Sequence, residues 1–143
     1  MVGIVLVTHN GLGESLVDCL KHVLGSIPQT IKAMSVHADH NPEEKEAELR
    51  KLVAQLDRGR GVLILVDVYG ATPANIAQRV CVPGRIEGVA GVNLPMLLRV
   101  ACCCTAPLPD MVHRALHGGK ECIVSLNSEM EACDAATRCA DHQ

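Results

Sequence analysis

The stretch "GVLILVDVYGATPANIA", Gly61 to Ala77, decides the fold class. Val62 to Val66 is apolar at every position, without the polar alternation of a strand that has one wet face. Such a run fits a central strand covered on both sides. Asp67 ends it, Gly70 permits a tight turn, and Thr72-Pro73 opens a helix. Proline suits a first helical turn because the N–H it lacks would have no intrahelical acceptor there.

The same grammar extends in both directions. "GIVLV", Gly3 to Val7, is a second wholly apolar run. Thr30–Val36 is more mixed and carries Lys32, which suits an edge strand, and Ile86–Val92 is the fourth β-rich run. Between them, Leu12, Leu16, Val17, Leu20, Val23 and Leu24 recur with helical period. Asn41-Pro42-Glu43-Glu44 is a helix start with a capping side chain and two carboxylates at the positive dipole end. Leu49, Leu52, Val53 and Leu56 line one face of that helix. Leu94-Pro95 starts another, and Pro109 to His117 is a last helix, expected to stop at Gly118-Gly119.

Strand–helix alternation predicts a three-layer α/β domain. Its sheet has four parallel strands in the order 2-1-3-4, with helices on both faces and right-handed crossovers. Glu121 to Ser125 reads as a final strand. The domain is expected over 1–125, and residues 126–143 read as a polar C-terminal tail.

Composition narrows the function. Among 143 residues there is no Phe or Trp, and Tyr69 is the single tyrosine, so aliphatic residues, Met and Cys must fill the core. The net charge is −3 with no basic run, which argues against nucleic-acid binding. Met1 to Val7 does not read as a signal peptide. The most apolar long stretch, Val89 to Leu108, is broken by Asn93, Pro95, Arg99 and Pro107, so no membrane insertion is expected and a cytoplasmic location is. Eight cysteines include three in a row, Cys102 to Cys104, with no CxxC pair. In a cytosolic chain they are expected to be reduced and to pack as small hydrophobes.

In an open α/β sheet, ligands bind beyond the carboxyl ends of the strands, where the strand order reverses. His9 and Asp67 end the first and third strands, which the order 2-1-3-4 makes neighbours. Gly70, Ala71 and Thr72 lead into a helix N-terminus, where exposed N–H groups and the dipole favour an anion. An imidazole, a carboxylate and an anion cradle point to phosphate carried on histidine. Asp67 is assigned to orient the ring, and His9 is the nucleophile. Asn93 is open between a partner contact and a helix cap. His37 and His40 flank Asp39 at loose ligand spacing, and His113 and His117 share a helix face but lack the acidic neighbour of a zinc-protease motif.

At "GIVLVTHNGLGESL", "GVLILVDVYGATPANIA" and "GVAGVNLPMLLRV" the chain resembles the IIA component of the mannose/fructose/sorbose class of the bacterial sugar phosphotransferase system (PTS). The motifs keep the family's order from the first strand to about Ser125. The resemblance implies that His9 takes a phosphoryl group from the phosphocarrier HPr, on Nε2, and passes it to a IIB component for sugar uptake. It further implies Asp67 on Nδ1, the Gly70-Ala71-Thr72 loop around the phosphate, no metal or organic cofactor, and a homodimer that exchanges a fifth, antiparallel strand, for which Glu121 to Ser125 is the candidate. The family usually reads Thr-His-Gly where this chain has Asn10 before Gly11. It has a second glycine where Ala71 stands, and often Phe at the positions of Tyr69 and Ala74. Two other readings stand beside this one. One is a regulatory protein that signals through the phosphorylation state of His9 without a dedicated transporter. The other is a thiol or metal protein built on Cys102–Cys104.

Overall fold

The computed structural model describes residues 1–127. Nine elements follow in order: β1 (Gly3–His9), α1 (Leu12–Leu24), β2 (Ile31–Val36), α2 (Pro42–Leu56), β3 (Val62–Val66), α3 (Thr72–Val80), β4 (Ile86–Ala90), α4 (Leu94–Ala101) and α5 (Leu108–Glu121). The four strands are all parallel in the order β2-β1-β3-β4. The expected fold class is therefore the observed one, and the reversal of strand order lies between β1 and β3.

The two apolar runs are explained by the layers on either side. Ile4, Leu6, Leu63 and Leu65 face a core shared with Leu20 of α1, Leu97 of α4 and Met111 of α5. Val5, Val7, Ile64 and Val66 face the opposite core with Leu49 and Val53 of α2 and Ile76 and Val80 of α3. Every residue of β3 is buried. Each large aliphatic side chain taken out of water contributes about 1.5–3 kcal/mol, so β1 and β3 form the rigid base of the domain. Three helices start as their sequences require. Asn41 Oδ1 accepts the Glu43 amide at 2.9 Å, Asn93 Oδ1 accepts that of Met96 at 2.9 Å, and proline occupies the first turn of α3.

Four local expectations are corrected. Gly118-Gly119 does not stop α5, which runs on to Glu121 with both glycines buried. A Cβ on Gly118 would lie 2.7 Å from Arg99 Cγ, and one on Gly119 2.9 Å from Met96 Cε, so these glycines let α5 approach α4 closely. β4 ends at Ala90, short of Val92, because Gly91 turns the chain with φ of 88°. Residues 123–125 form no fifth strand in the single chain. A strand needs a ladder partner, and among the described residues the outer side of β4 meets only one antiparallel bridge, Val82 to Ile86. Finally, Cys102 and Cys122 each take part in a disulfide, whereas Cys19, Cys81, Cys103 and Cys104 are free. The two bonded cysteines cap α4 and α5 and are only partly buried, so neither fills a core in the manner expected of a reduced thiol. From residue 128 onward, the expected polar tail lies outside the described residues.

Candidate functional site

The end of β1 is fixed by what it pairs with. His9 stands in register with Val36 of β2, and Val7 with Val66 of β3. The residue after Val66 is Asp67, so the sheet register itself sets the carboxylate beside the histidine. His9 Nδ1 lies 2.8 Å from Asp67 Oδ2, and the His9 backbone N–H donates to the same oxygen at 2.9 Å. The Val68 N–H donates to Oδ1 at 2.9 Å. Asp67 is thus gripped by two backbone amides and one imidazole, with its side chain only 7 % exposed against 47 % for His9.

The electrostatics follow from these contacts. Burial alone pushes the Asp67 carboxyl up, but the donors from the His9 backbone, the His9 ring and Val68 outweigh it, and the net shift is downward. The group is therefore an ionised acceptor at neutral pH. A carboxylate has no proton to give, so the 2.8 Å contact requires the proton on His9 Nδ1. Nε2 then carries the lone pair, and among the described residues it has no hydrogen-bond partner.

The turn that holds His9 also depends on Thr8 and Gly13, to which the sequence alone assigned no role. Thr8 is fully buried in an otherwise apolar strand, and its Oγ1 accepts the Gly13 amide at 2.8 Å. That bond ties the first turn of α1 back to β1. Gly13 is buried there, and a Cβ on it would meet Thr8 Oγ1 at 3.0 Å. A threonine inside an apolar run was the available signal, since a buried hydroxyl needs a partner. Asn10 adopts φ of 48° and donates its amide to Val36 O at 3.0 Å. Asparagine tolerates this left-handed conformation better than most residues, so Asn10 itself makes the turn. Gly11 has an ordinary φ of −85° and caps α1.

On the β3 side, Gly70 takes φ of 83°, and Ala71 is extended as the N-cap of α3. The alanine therefore costs no backbone strain. Thr72 is the first helical residue, followed by Pro73. The amides of Thr72 and Ala74 fall in the first turn, before any helical acceptor is available. Gly70, Ala71 and Thr72 thus form the connection that leaves β3 directly after Asp67. Beside it, a cavity of about 140 Å³ is lined by Tyr69, Ala74, Gln78, Cys81 and the small residues of β4.

The remaining candidates fall away from this site. Asn93 caps α4 and donates Nδ2 to Gly119 O at 3.1 Å, which favours the cap over a partner contact. His40 Nδ1 accepts the His37 amide at 3.0 Å. Among the described residues no group of three or more His, Cys, Asp or Glu side chains is arranged to hold a metal. No described helix is long and apolar enough to cross a membrane.

Comparison with known proteins agrees with the fold. The PTS system mannose-specific EIIAB component of Escherichia coli (strain K12) is 30 % identical over 131 residues, covering 90 % of this chain. The chain spans only 40 % of that relative's length. Among solved structures, a mannose/sorbose specific IIA subunit from Enterococcus faecalis superposes with a TM-score of 0.79 at 19 % identity, covering 92 % of this chain and 98 % of that one. Phosphotransferase system component EIIA from Streptococcus agalactiae gives 0.78 at 22 % identity, covering 87 % and 97 %. These two likenesses show the fold. The family described as PTS system fructose IIA component, EIIA-man, matches residues 3–115. With that match over most of its length, the chain belongs to the mannose-type IIA family of the sugar phosphotransferase system.

Proposed function

We propose that His9 is a phosphoryl carrier, loaded by an HPr-like phosphocarrier protein and unloaded onto a IIB component for sugar uptake and phosphorylation. The observation that carries this reading is the 2.8 Å contact between His9 Nδ1 and Asp67 Oδ2. It supports a protonated Nδ1 and a nucleophilic Nε2. In the loading step the Nε2 lone pair forms a bond to phosphorus as the bond between phosphorus and the donor's histidine nitrogen breaks. The electron pair returns to the donor, and no proton has to leave His9. Asp67 stabilises the positive ring that results, while its charge repels the phosphoryl oxygens and keeps the group transferable. The Gly70, Ala71 and Thr72 connection supplies N–H donors and a hydroxyl to those oxygens, the arrangement that phosphoryl transfer asks for.

The carrier acts in the cytoplasm and as a homodimer in this reading. The dimer is supported by the exposed apolar residues Ile123, Val124 and Leu126, which follow α5 and suit a strand added to the outer edge of β4. The test is phosphorylation with enzyme I, HPr and labelled phosphoenolpyruvate. Acid-labile, base-stable label is expected on the wild type and none on His9→Ala. Label that persists on His9→Ala overturns the assignment.

A further inference from the structure

We propose that His113 and His117 form a two-imidazole site for a divalent transition-metal ion on the outer face of α5. The helix buries Met111, Ala115, Gly118 and Gly119 against the rest of the domain. Its register therefore turns residues 113 and 117 away from the core, and both are exposed. Residues four apart lie one above the other on a helix. Here the two rings are already adjacent, with centroids 4.1 Å apart and planes tilted by 40°. No hydrogen bond or ion pair to another described residue engages either ring.

Among the described residues, the other histidines lack this combination. His9 Nδ1 is held by Asp67, and His40 Nδ1 by the His37 amide. Neutral imidazole nitrogens suit nickel, copper and zinc, and two of them on one rigid segment chelate one ion. No third protein ligand joins them among the described residues, so water fills the remaining positions and the ion exchanges readily. The pair also sits at an informative place. It spans the turn just before Gly118-Gly119, where two glycines weaken the helix. A metal bridging His113 and His117 staples that turn and steadies the end of α5 that packs on α4.

The experiment uses the full chain without an affinity tag and nickel(II) chloride as the probe. Titration calorimetry gives the affinity, and thermal melts with and without nickel give the shift. The wild type is expected to bind nickel and to melt at higher temperature with it. His113→Ala and His117→Ala should each weaken binding at least as much as loss of an outer-shell partner does, roughly tenfold or more. Each should also abolish the melting shift. His22→Ala and His40→Ala should keep both properties. Unchanged affinity in either α5 variant, or an equal loss in His40→Ala, overturns the proposal. Both side chains are exposed, and far-UV circular dichroism confirms that the variants remain folded.

Discussion

Thr8 accepts the Gly13 amide across 2.8 Å inside the protein, and this bond closes the turn that carries His9. Thr8→Val keeps the shape of the side chain and removes the acceptor. The Gly13 N–H is then buried without a partner, at a cost of about 1–3 kcal/mol. Urea denaturation should show that loss. Phosphorylation of His9 should slow as well, because the start of α1 is no longer tied to the strand end. A variant as stable as the wild type would mean that the amide finds another acceptor.

Asp67→Asn separates orientation from fold. The amide is nearly isosteric, but it can turn an NH2 towards Nδ1 and favour the wrong tautomer. The rate of phosphoryl transfer should fall steeply, up to about 10⁴-fold, the order of loss when a catalytic imidazole is held in the wrong tautomer. Quenched-flow labelling measures this. The same variant has a signature in acid. The Asp67 pKa is lowered in the folded protein, so its stabilising contribution is complete above the ordinary carboxyl value of about 3.9 and is lost as pH falls through the folded value. The stability difference between wild type and Asp67→Asn should therefore shrink below about pH 4. A difference that stays constant from pH 6 to pH 3 would deny the shift.

Asn10 carries the left-handed turn at φ of 48°. Asn10→Ala should destabilise by about 1–2 kcal/mol, the cost of that conformation for a residue with a Cβ and no local hydrogen-bonding group. Asn10→Gly should be close to neutral. Gly11→Ala should also be mild, since its φ is ordinary and a Cβ there meets nothing within 4 Å. The denaturant midpoints of the three variants give the order directly.

Much of this was legible in the sequence because it follows from local rules. The uniform apolarity of "GIVLV" and "VLILV" announced two covered strands, and Asn41 and Pro73 marked helix starts that the structure keeps. The pairing of His9 with Asp67 was legible through topology, since both end neighbouring central strands. What stayed hidden depends on contacts between distant residues. Gly118-Gly119 looks like a helix stop until Arg99 and Met96 are seen across the gap. The left-handed conformation after His9 falls on Asn10, not on Gly11, and residue type alone does not settle which of the two takes it. A fifth strand cannot form in one chain without a partner for its ladder, however suitable its composition.

The two glycines of α5 should answer differently to the same substitution. Alanine favours a helix over glycine by about 1 kcal/mol, so both variants begin with a gain. At Gly118 the new methyl would lie 2.7 Å from Arg99 Cγ and 3.1 Å from its Cβ, atoms close to the α4 backbone that cannot swing aside. The overpacking cost of about 1–3 kcal/mol should win, and Gly118→Ala should be destabilised. At Gly119 the close atom is Met96 Cε, the far end of a flexible side chain, 2.9 Å away. Met96 can turn away, so Gly119→Ala should be near neutral or slightly stabilised. Thermal melts of both variants test the sign, and equal destabilisation would show that α4 and α5 are packed too tightly for the methionine to move.

The dimer reading makes its own demand on the segment after α5. Ile123 is 76 % exposed and Leu126 98 % exposed, which is costly for a chain that stays alone. If this segment adds to the β4 edge of a second copy, its backbone amides enter a ladder, and a proline at position 124 removes one and fixes φ. Val124→Pro should therefore shift the sedimentation profile from dimer to monomer. His9 phosphorylation should persist, because β1, β3 and the connection after Asp67 belong to one chain. A wild type that sediments as a monomer at tens of micromolar would remove the dimer and leave the carrier reading intact. The two proposals therefore stand or fall separately.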